Sequence, residues 1–285
     1  MATKPASQQP DYSAVQAKAA PSLDWTPQRP VTVTKHAKPD WKYGDGATDS
    51  LHKPHVEIDP FAPGRPMLHN YTLLISGIAP RPIGLLSTAS KTGAENLAPF
   101  SYFQLVDHDP PVFVVGFSGR VARPKDTLRN LAETRECTIN TVSEHMVEAV
   151  NAASLDAPRG VSEWAVAGLH RAPSATVRPA RVRESVFSIE GRVLKTVDYE
   201  ASRPSVAAHG RLALIEATRF WVREDAVDEK GSEIDLEVLR PVGQLGGASY
   251  ARVTETFELP RTKWKTATES VGSGLRELVA GSENK

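Results

Sequence analysis

The arrangement of apolar and polar positions changes near residue 70. Before that point, adjacent apolar residues are few and follow neither the two-residue period of a strand nor the 3.6-residue period of a helix. Ten of the 22 prolines lie in the first 66 residues. We therefore interpret residues 1–55 as a proline-rich N-terminal arm, extended or partly disordered, and residues 56–285 as the folded domain. The aromatic residues Trp25, Trp41 and Tyr43 predict that the arm docks on the body of the protein or on a partner chain.

Beyond Tyr71, short apolar runs separated by turn residues are typical of β-strands. One run alternates over residues 96–106, with Leu97, Phe103 and Leu105 on the same face, and we interpret it as a single strand. The predicted strands cover residues 83–90, 96–106, 112–118, 137–143, 185–199 and 210–224.

Two helices are predicted among these strands. The first lies within residues 124–136, with Asp126 as its N-cap and Leu128 and Leu131 on its apolar face, and the second covers residues 143–154, capped by Ser143. So few helices cannot cover both faces of a parallel sheet, and βαβ alternation is absent. We therefore predict a mainly β fold, an antiparallel barrel with flanking helices.

Composition narrows the functional classes. The 34 basic and 34 acidic residues balance, which argues against a nucleic-acid-binding protein. The longest apolar run spans residues 112–117 and is far shorter than the roughly 20 residues that cross a bilayer. The N-terminus has no apolar signal segment, and one cysteine, Cys137, excludes an internal disulfide framework. These features predict a cytoplasmic protein that associates with neither membrane nor nucleic acid.

Common catalytic and binding motifs do not occur in this sequence. There is no GxGxxG, no GxxxxGK[ST] and no GxSxG, so dinucleotide-binding, P-loop and α/β-hydrolase interpretations have no support. A single cysteine cannot supply zinc-ligand spacing, and the close pair His52 and His55 lies in the arm without a carboxylate cluster. We predict no metal site.

Three segments beside strands are rich in small polar residues. Ser87 and Thr88 end a strand, where hydroxyls and backbone N–H groups suit an anionic group, although an ordinary strand end has the same composition. Asn96 and Ser101 lie among aromatic residues, which suits a planar ligand with polar edges but equally suits a plain core.

The third segment, Lys125 to Thr127, begins a helix. Its free N–H groups and the lysine favour a phosphate, while the alternative is a capped surface helix.

Taken together and in order, these segments resemble the flavin reductase-like family with the FMN-binding split β-barrel. The resemblance covers roughly residues 60–259 and leaves the arm outside it. The segments that carry it are RPIGLLSTAS (81–90), NLAPFSYFQLVDHDPPVFVVGFS (96–118), KDTLRNLAETRECTIN (125–140), MVEAVNAAS (146–154), PRGVSEWAVAGL (158–169) and LRPVGQLGGASYARV (239–253). The family implies a six-stranded antiparallel barrel, a homodimer, and FMN near the subunit interface.

Position by position, the resemblance also implies a set of ligand contacts. The implied FMN contacts are Ser87, Thr88, Asn96, Ala98, Pro99, Ser101, Phe103, Lys125 and Thr127. Two-component flavin reductases often carry Gly-Asp-His near a late strand, with the histidine close to the nicotinamide. The comparable place here is Ala207-Ala208-His209-Gly210, so His209 is the expected catalytic residue and the preceding Gly-Asp is missing.

The expected function is therefore that of an FMN-binding oxidoreductase of flavin reductase type, which transfers hydride from NAD(P)H to the flavin. Reduced FMN then either passes to a partner monooxygenase or is used in place. Two alternatives remain open from the sequence: a non-catalytic FMN-binding or flavin-carrier protein, and a related split-barrel protein that binds another cofactor such as haem.

Overall fold

The computed structural model describes residue 25 and residues 30–47, 53–118, 124–158, 160–200, 209–270 and 272–282. The chain divides into two compact units, one formed by Met1–Trp25 with Pro60–Val253 and the other by Thr26–Asp59 with Thr254–Lys285. The predicted boundary between an arm and a folded domain after residue 55 stays a prediction.

The strands of the described residues are numbered in chain order. They are β1 (Thr32–Thr34), β2 (Gly84–Ala89), β3 (Glu95–Phe100), β4 (Phe103–His108), β5 (Pro111–Ser118), β6 (Glu136–Thr141), β7 (Arg171–Ala172), β8 (Arg181–Val182), β9 (Phe187–Glu200), β10 (His209–Val222), β11 (Val242–Gln244), β12 (Tyr250–Arg252) and β13 (Glu255–Phe257). The helices are α1 (Met67–Gly77), α2 (Asp126–Thr134), α3 (Val147–Ala152), α4 (Glu163–Ala167), α5 (Leu236–Leu239), α6 (Trp264–Glu269) and α7 (Leu275–Ser282).

The larger unit is built on a seven-stranded sheet in the order β3-β2-β6-β9-β10-β5-β4, in which every neighbouring pair is antiparallel. The predicted mainly β, antiparallel fold with flanking helices is confirmed. The predicted pairing of long strands near residues 185–199 and 210–224 is confirmed as well, since β9 and β10 form the longest ladder of the sheet.

One predicted strand is in fact two. The alternating segment 96–106 breaks at Ser101 and Tyr102 into β3 and β4, which lie at opposite edges of the sheet. Because only two residues join these edge strands, the sheet must curl until its edges meet, and the backbone N–H of Gly116 in β5 donates to the Tyr102 carbonyl at 2.7 Å beside the junction. The break explains why the sheet has seven strands where six were expected.

Two apolar clusters form the core on either side of this sheet. Strand β2 is buried along its whole length, because Leu86 points into one cluster and Leu85 into the other. Leu131 of α2 joins the first cluster, and Val150 of α3 and Trp164 of α4 join the second. Helix α2 therefore packs on the hairpin of β2 and β3.

The predicted N-cap of α2 is wrong, whereas Ser143 does occupy the N-cap position of the helical segment that leads into α3. Lys125, rather than Asp126, is the N-cap of α2, and the Asp126 carboxylate accepts a hydrogen bond from the Arg129 side chain at 2.6 Å instead. Ser143 is the N-cap residue of a 3₁₀ turn, Glu144–Met146, but its hydroxyl has no hydrogen-bond partner among the described residues. The Met146 N–H donates to the backbone carbonyl of Ser143, so that donor is already satisfied.

The smaller unit pairs β1 in parallel with β13 and adds α6 and α7. The Tyr43 N–H donates to the Ser273 carbonyl at 3.0 Å, and the Trp41 indole donates to the Gly46 carbonyl at 2.8 Å. Across both units, none of the helices in the described ranges combines the length and the apolar character needed to cross a membrane.

Candidate functional site

Two of the sequence-predicted contacts face each other across the β2–β3 hairpin. Thr88 of β2 lies directly opposite Asn96 of β3 in the antiparallel register. Thr88 is 0% exposed and Asn96 7%, and the neighbouring Ser87 is also buried. Polar side chains so far from solvent need partners within the protein.

Those partners come from α2. The Asn96 Nδ2 donates to the Thr127 Oγ1 at 2.8 Å, and the Asn130 Nδ2 donates to the Thr88 Oγ1 at 3.1 Å. Thr127 and Asn130 are three residues apart and lie on one face of α2, and Thr88 and Asn96 are cross-strand neighbours in the sheet. We name these four residues, Thr88, Asn96, Thr127 and Asn130, the Asn–Thr clamp.

The clamp lies next to the N-terminus of α2. Among the described residues no side chain caps this terminus, which leaves the first-turn N–H groups available to an anionic ligand. Lys125 is exposed, and its ammonium lies 5.2 Å from the centroid of the Phe100 ring. Phe100 is itself held edge-on by Phe117, with ring centroids 5.0 Å apart. The lysine thus extends over an aromatic surface at the end of β3.

The remaining predicted contacts follow β3 into β4. Ala98, Pro99, Ser101 and Phe103 are each partly exposed, so they present a surface that a ligand can reach. The Phe103 ring lies parallel to that of Phe113, 6.0 Å away, and it covers Gly84 so closely that a Cβ there would lie 3.0 Å from the ring.

Ser101 and Phe103 also border a cavity of about 500 Å³, a volume ordinary for small-molecule sites. Its other walls come from the end of α1, the proline-containing segment after it, Gln104 of β4 and Val114 of β5, and Arg81 is the charged residue among them. The Arg81 Nε donates to the Ser101 hydroxyl at 3.4 Å. A buried cation next to a hydroxyl strengthens that hydroxyl as a donor to a ligand oxygen.

The structure gives less for His209. Its backbone begins β10, pairs with Glu200, and precedes Gly210, which pairs with Ser118 at the end of β5. Ser118 is thus the β5 residue beside the start of β10, and Lys125 follows it by seven positions in the sequence. The space over Gly210 is filled, because a Cβ there would lie 2.1 Å from the Tyr199 ring.

Two ionisable groups outside this region, Cys137 and Glu144, have pKa values shifted by their surroundings. Burial raises the pKa of the Cys137 thiol to about 12, which makes it unreactive as a nucleophile at neutral pH. Burial opposes ionisation of Glu144, but hydrogen bonds from Trp25, Arg240 and Arg252 outweigh it and lower the pKa to about 2. Among the described residues, no group of three or more metal-binding side chains converges.

Sequence reasoning missed the contacts that three residues make in this region. Asn130 is one helical turn beyond Thr127, Phe100 lies beneath Lys125, and Arg81 contacts Ser101. The spacing of Thr127 and Asn130 on one helix face was the available signal for the first. No local pattern distinguishes Phe100 or Arg81, because their partners are distant in sequence.

Comparison with known proteins gives a consistent result. The family model described as flavin reductase like domain matches residues 76–236 of the chain. An uncharacterised protein of Halalkalibacterium halodurans is 36% identical over 193 residues, which cover 67% of this chain and 90% of that protein.

Solved structures extend the likeness. Nitrilotriacetate monooxygenase component B from Bacillus cereus has a TM-score of 0.66 and 29% identity, over 73% of this chain and 100% of that chain. The 2-nitrobenzoate 2-nitroreductase of Pseudomonas fluorescens has a TM-score of 0.64 and 26% identity, over 77% and 100%. A split-barrel protein from Shewanella frigidimarina, with a TM-score of 0.59 and 19% identity over 70% and 94%, shares the fold. The expected split barrel is confirmed.

Proposed function

The chain belongs to the flavin reductase-like family, and we propose that it is an FMN-dependent oxidoreductase that accepts hydride from NAD(P)H. The family and its structural relatives establish a flavin-related oxidoreductase. FMN as the flavin and NAD(P)H as the donor are the parts that we propose. The observation that carries the proposal is the uncapped N-terminus of α2, with Lys125 in front of it and the Asn–Thr clamp behind it.

The donor set of this region fits one phosphate group. An ammonium and the first-turn N–H groups of α2 supply positive charge and hydrogen bonds, which is what a phosphate monoester requires. Each threonine hydroxyl of the clamp is fully buried and accepts an amide N–H, so we assign these hydroxyls to holding α2 on the hairpin. One such phosphate site favours FMN over a dinucleotide.

The partly exposed stretch from Ala98 to Phe103 suits the ring of the same ligand. Aliphatic and aromatic surface there accommodates a flat apolar face, and the Ser101 hydroxyl offers a hydrogen bond at its edge. A bound flavin supplies the redox chemistry, since its ring accepts a hydride. The part of the chain is to hold the phosphate at α2, orient the ring along β3, and place positive charge from Arg81 behind the Ser101 donor.

We assign the nicotinamide side of the site to His209. Its backbone position supports this assignment, because it begins β10 beside the end of β5, and β5 precedes Lys125 in the sequence. An imidazole there orients a carboxamide or balances negative charge that develops on reduction.

A flavin carrier without reductase activity is the second candidate. The observation that favours it is the sequence Ala207-Ala208 in place of the Gly-Asp that precedes the histidine in many flavin reductases. Reduction by a nicotinamide separates the two candidates.

We also propose a homodimer and a partner monooxygenase. The similarity to a monooxygenase component B supports the second of these. The dimer is supported by exposed apolar side chains of the larger unit, which we name the apolar surface of α1 and β4: Leu74 in α1, Ile78 just after it, and Leu105 and Val106 in β4. A cytoplasmic location is proposed from the single, buried cysteine.

The decisive experiment is an absorbance spectrum of the purified protein, followed by anaerobic titration with NADH and NADPH. We expect a flavin spectrum that is bleached by one of the two donors. A flavin spectrum that neither donor bleaches would favour the carrier, and a Soret band would replace both candidates with a haem protein. Affinities for FMN, FAD and riboflavin then test the phosphate site, because equal affinities would contradict it.

A further inference from the structure

The Asn–Thr clamp joins the N-terminal half of α2 to the β2–β3 hairpin. Two side-chain hydrogen bonds, of 2.8 and 3.1 Å, make this connection, and all four residues are more than nine-tenths buried. At the other end of the helix, the Glu133 carboxylate accepts the Lys91 N–H at 3.3 Å. The clamp thus governs where the first turn of α2 lies on the hairpin.

Burial makes this connection hard to replace. Water cannot take the place of either asparagine amide, so removing one leaves a buried hydroxyl without its donor. A shift of the helix that gives this threonine hydroxyl a new hydrogen-bond partner is then energetically favoured. Hydrogen bonds to a phosphate depend steeply on distance and angle, so a small shift of the first turn weakens them.

We propose that Asn130 is a positioning residue, which acts through Thr88 to hold the N-terminus of α2 in register with the phosphate of the ligand. This inference rests on the proposed function, because it concerns how the same site distinguishes FMN from riboflavin. Asn130 need not touch the ligand. Its effect is therefore expected on binding of the phosphate and hardly at all on binding of the flavin ring, which we place against the partly exposed residues of β3.

The two hydrogen bonds of the clamp run in opposite directions between strand and helix, and this difference supplies a specific test. In one half the strand carries the asparagine, Asn96, and the helix carries the threonine, Thr127. In the other half the strand carries Thr88 and the helix Asn130. Exchanging the second pair, Thr88→Asn with Asn130→Thr, copies the arrangement of the first and restores a hydrogen bond between the same two elements.

The experiment measures dissociation constants of FMN and riboflavin for the full chain by fluorescence titration. The dissociation constant of riboflavin divided by that of FMN gives a ratio that reports the contribution of the phosphate alone. For Asn130→Ala we expect this ratio to fall by about tenfold, as for the loss of well-aligned charged hydrogen bonds, with riboflavin affinity within about twofold of wild type. The exchanged pair is expected to recover most of the ratio. If Asn130→Ala does not fold, Asn130→Ser replaces it, because serine is too short to reach Thr88.

Asn140→Ala is the matched control. Asn140 in β6 is equally buried, and its side chain bonds to Leu85, Thr138 and Val182 rather than to a residue of α2. Its loss is expected to lower thermal stability but to preserve the ratio. An unchanged ratio in Asn130→Ala, an equal fall in Asn140→Ala, or no recovery in the exchanged pair each overturns the positioning role. Wild-type protein that binds FMN no better than riboflavin overturns the phosphate site itself, and the clamp's role with it.

Discussion

The guanidinium of Arg81 donates to the carbonyl oxygen of Ile75 across 2.5 Å. It also donates to the Ile78 carbonyl at 2.7 Å and to the Leu245 carbonyl at 3.0 Å. Arg81 is only 6% exposed, and within the described residues no carboxylate pairs with it. Carbonyls at a helix C-terminus carry partial negative charge, so this cation is matched to the end of α1 and ties it to the turn between β11 and β12.

Replacing Arg81 by leucine is therefore expected to destabilise the larger unit. Buried acceptors left without donors cost about 1–3 kcal/mol each, so the free energy of unfolding falls by roughly 3 kcal/mol or more. Urea denaturation measures the change. Arg192→Leu is the control, since this exposed side chain bonds to the Thr176 carbonyl and its loss costs about 1 kcal/mol or less. Equal losses in the two variants would contradict the structural role of Arg81.

Glu144 is expected to make stability fall in acid. Its folded-state pKa of about 2 lies below the ordinary glutamate value of 4.5, so its contribution to stability is complete above about pH 4.5 and is lost as the pH falls toward 2. Glu144→Gln lacks this carboxylate. The gap in melting temperature between wild type and Glu144→Gln should therefore be wide at pH 7 and narrow at pH 3. A gap that stays constant would show that the arginine partners do not lower the folded-state pKa of Glu144.

Lys125→Ala is expected to weaken FMN binding by about 1–3 kcal/mol, the range for losing a charge-assisted hydrogen bond. Riboflavin, which lacks the phosphate, should bind almost as before. Lys91→Ala, in the turn between β2 and β3, is the matched control and should change neither affinity. Equal weakening of FMN and riboflavin by Lys125→Ala would assign the lysine to packing over Phe100 instead.

The sequence was sufficient for the strand pattern and for the family, and it failed where a pattern carried no information about three-dimensional partners. Residues 96–106 alternate without interruption, yet the chain turns at Ser101 and Tyr102 so that β3 and β4 close the sheet from opposite edges. Alternation reports which face a residue takes, whereas the break follows from closure of the whole sheet.

The candidate site divides in the same way. The predicted residues of β2, β3 and α2 lie together in the structure. They do so because β2 and β3 form one hairpin and α2 packs on both of its strands. Asn130 and Arg81 escaped notice because each acts on a residue at least 20 positions away: Asn130 on Thr88 and Arg81 on Ser101. Asp126 was assigned the capping role on residue type alone, and Arg129 competes for its carboxylate.

Association is expected to involve the apolar surface of α1 and β4. Leu105→Asp places a charge on this surface and should convert a homodimer to a monomer, as measured by light scattering at micromolar concentration. Leu155→Asp alters a comparably exposed leucine after α3 and should leave the dimer intact. We further expect the partner to contact residues 20–55. A wild-type monomer whose arm is rapidly proteolysed would refute both expectations.

His209 provides the sharpest test of the catalytic proposal. If its imidazole serves the nicotinamide, His209→Ala should keep FMN affinity nearly unchanged and slow reduction by NAD(P)H about tenfold or more, which corresponds to about 1.4 kcal/mol of barrier. Stopped-flow reduction of the FMN-loaded protein measures this rate. His170→Ala is the control, because that ring is exposed and bonded to Glu184. Wild-type rates in His209→Ala would remove the residue from the site, and no reduction in either protein would favour the carrier, because hydride transfer would then be absent from the start.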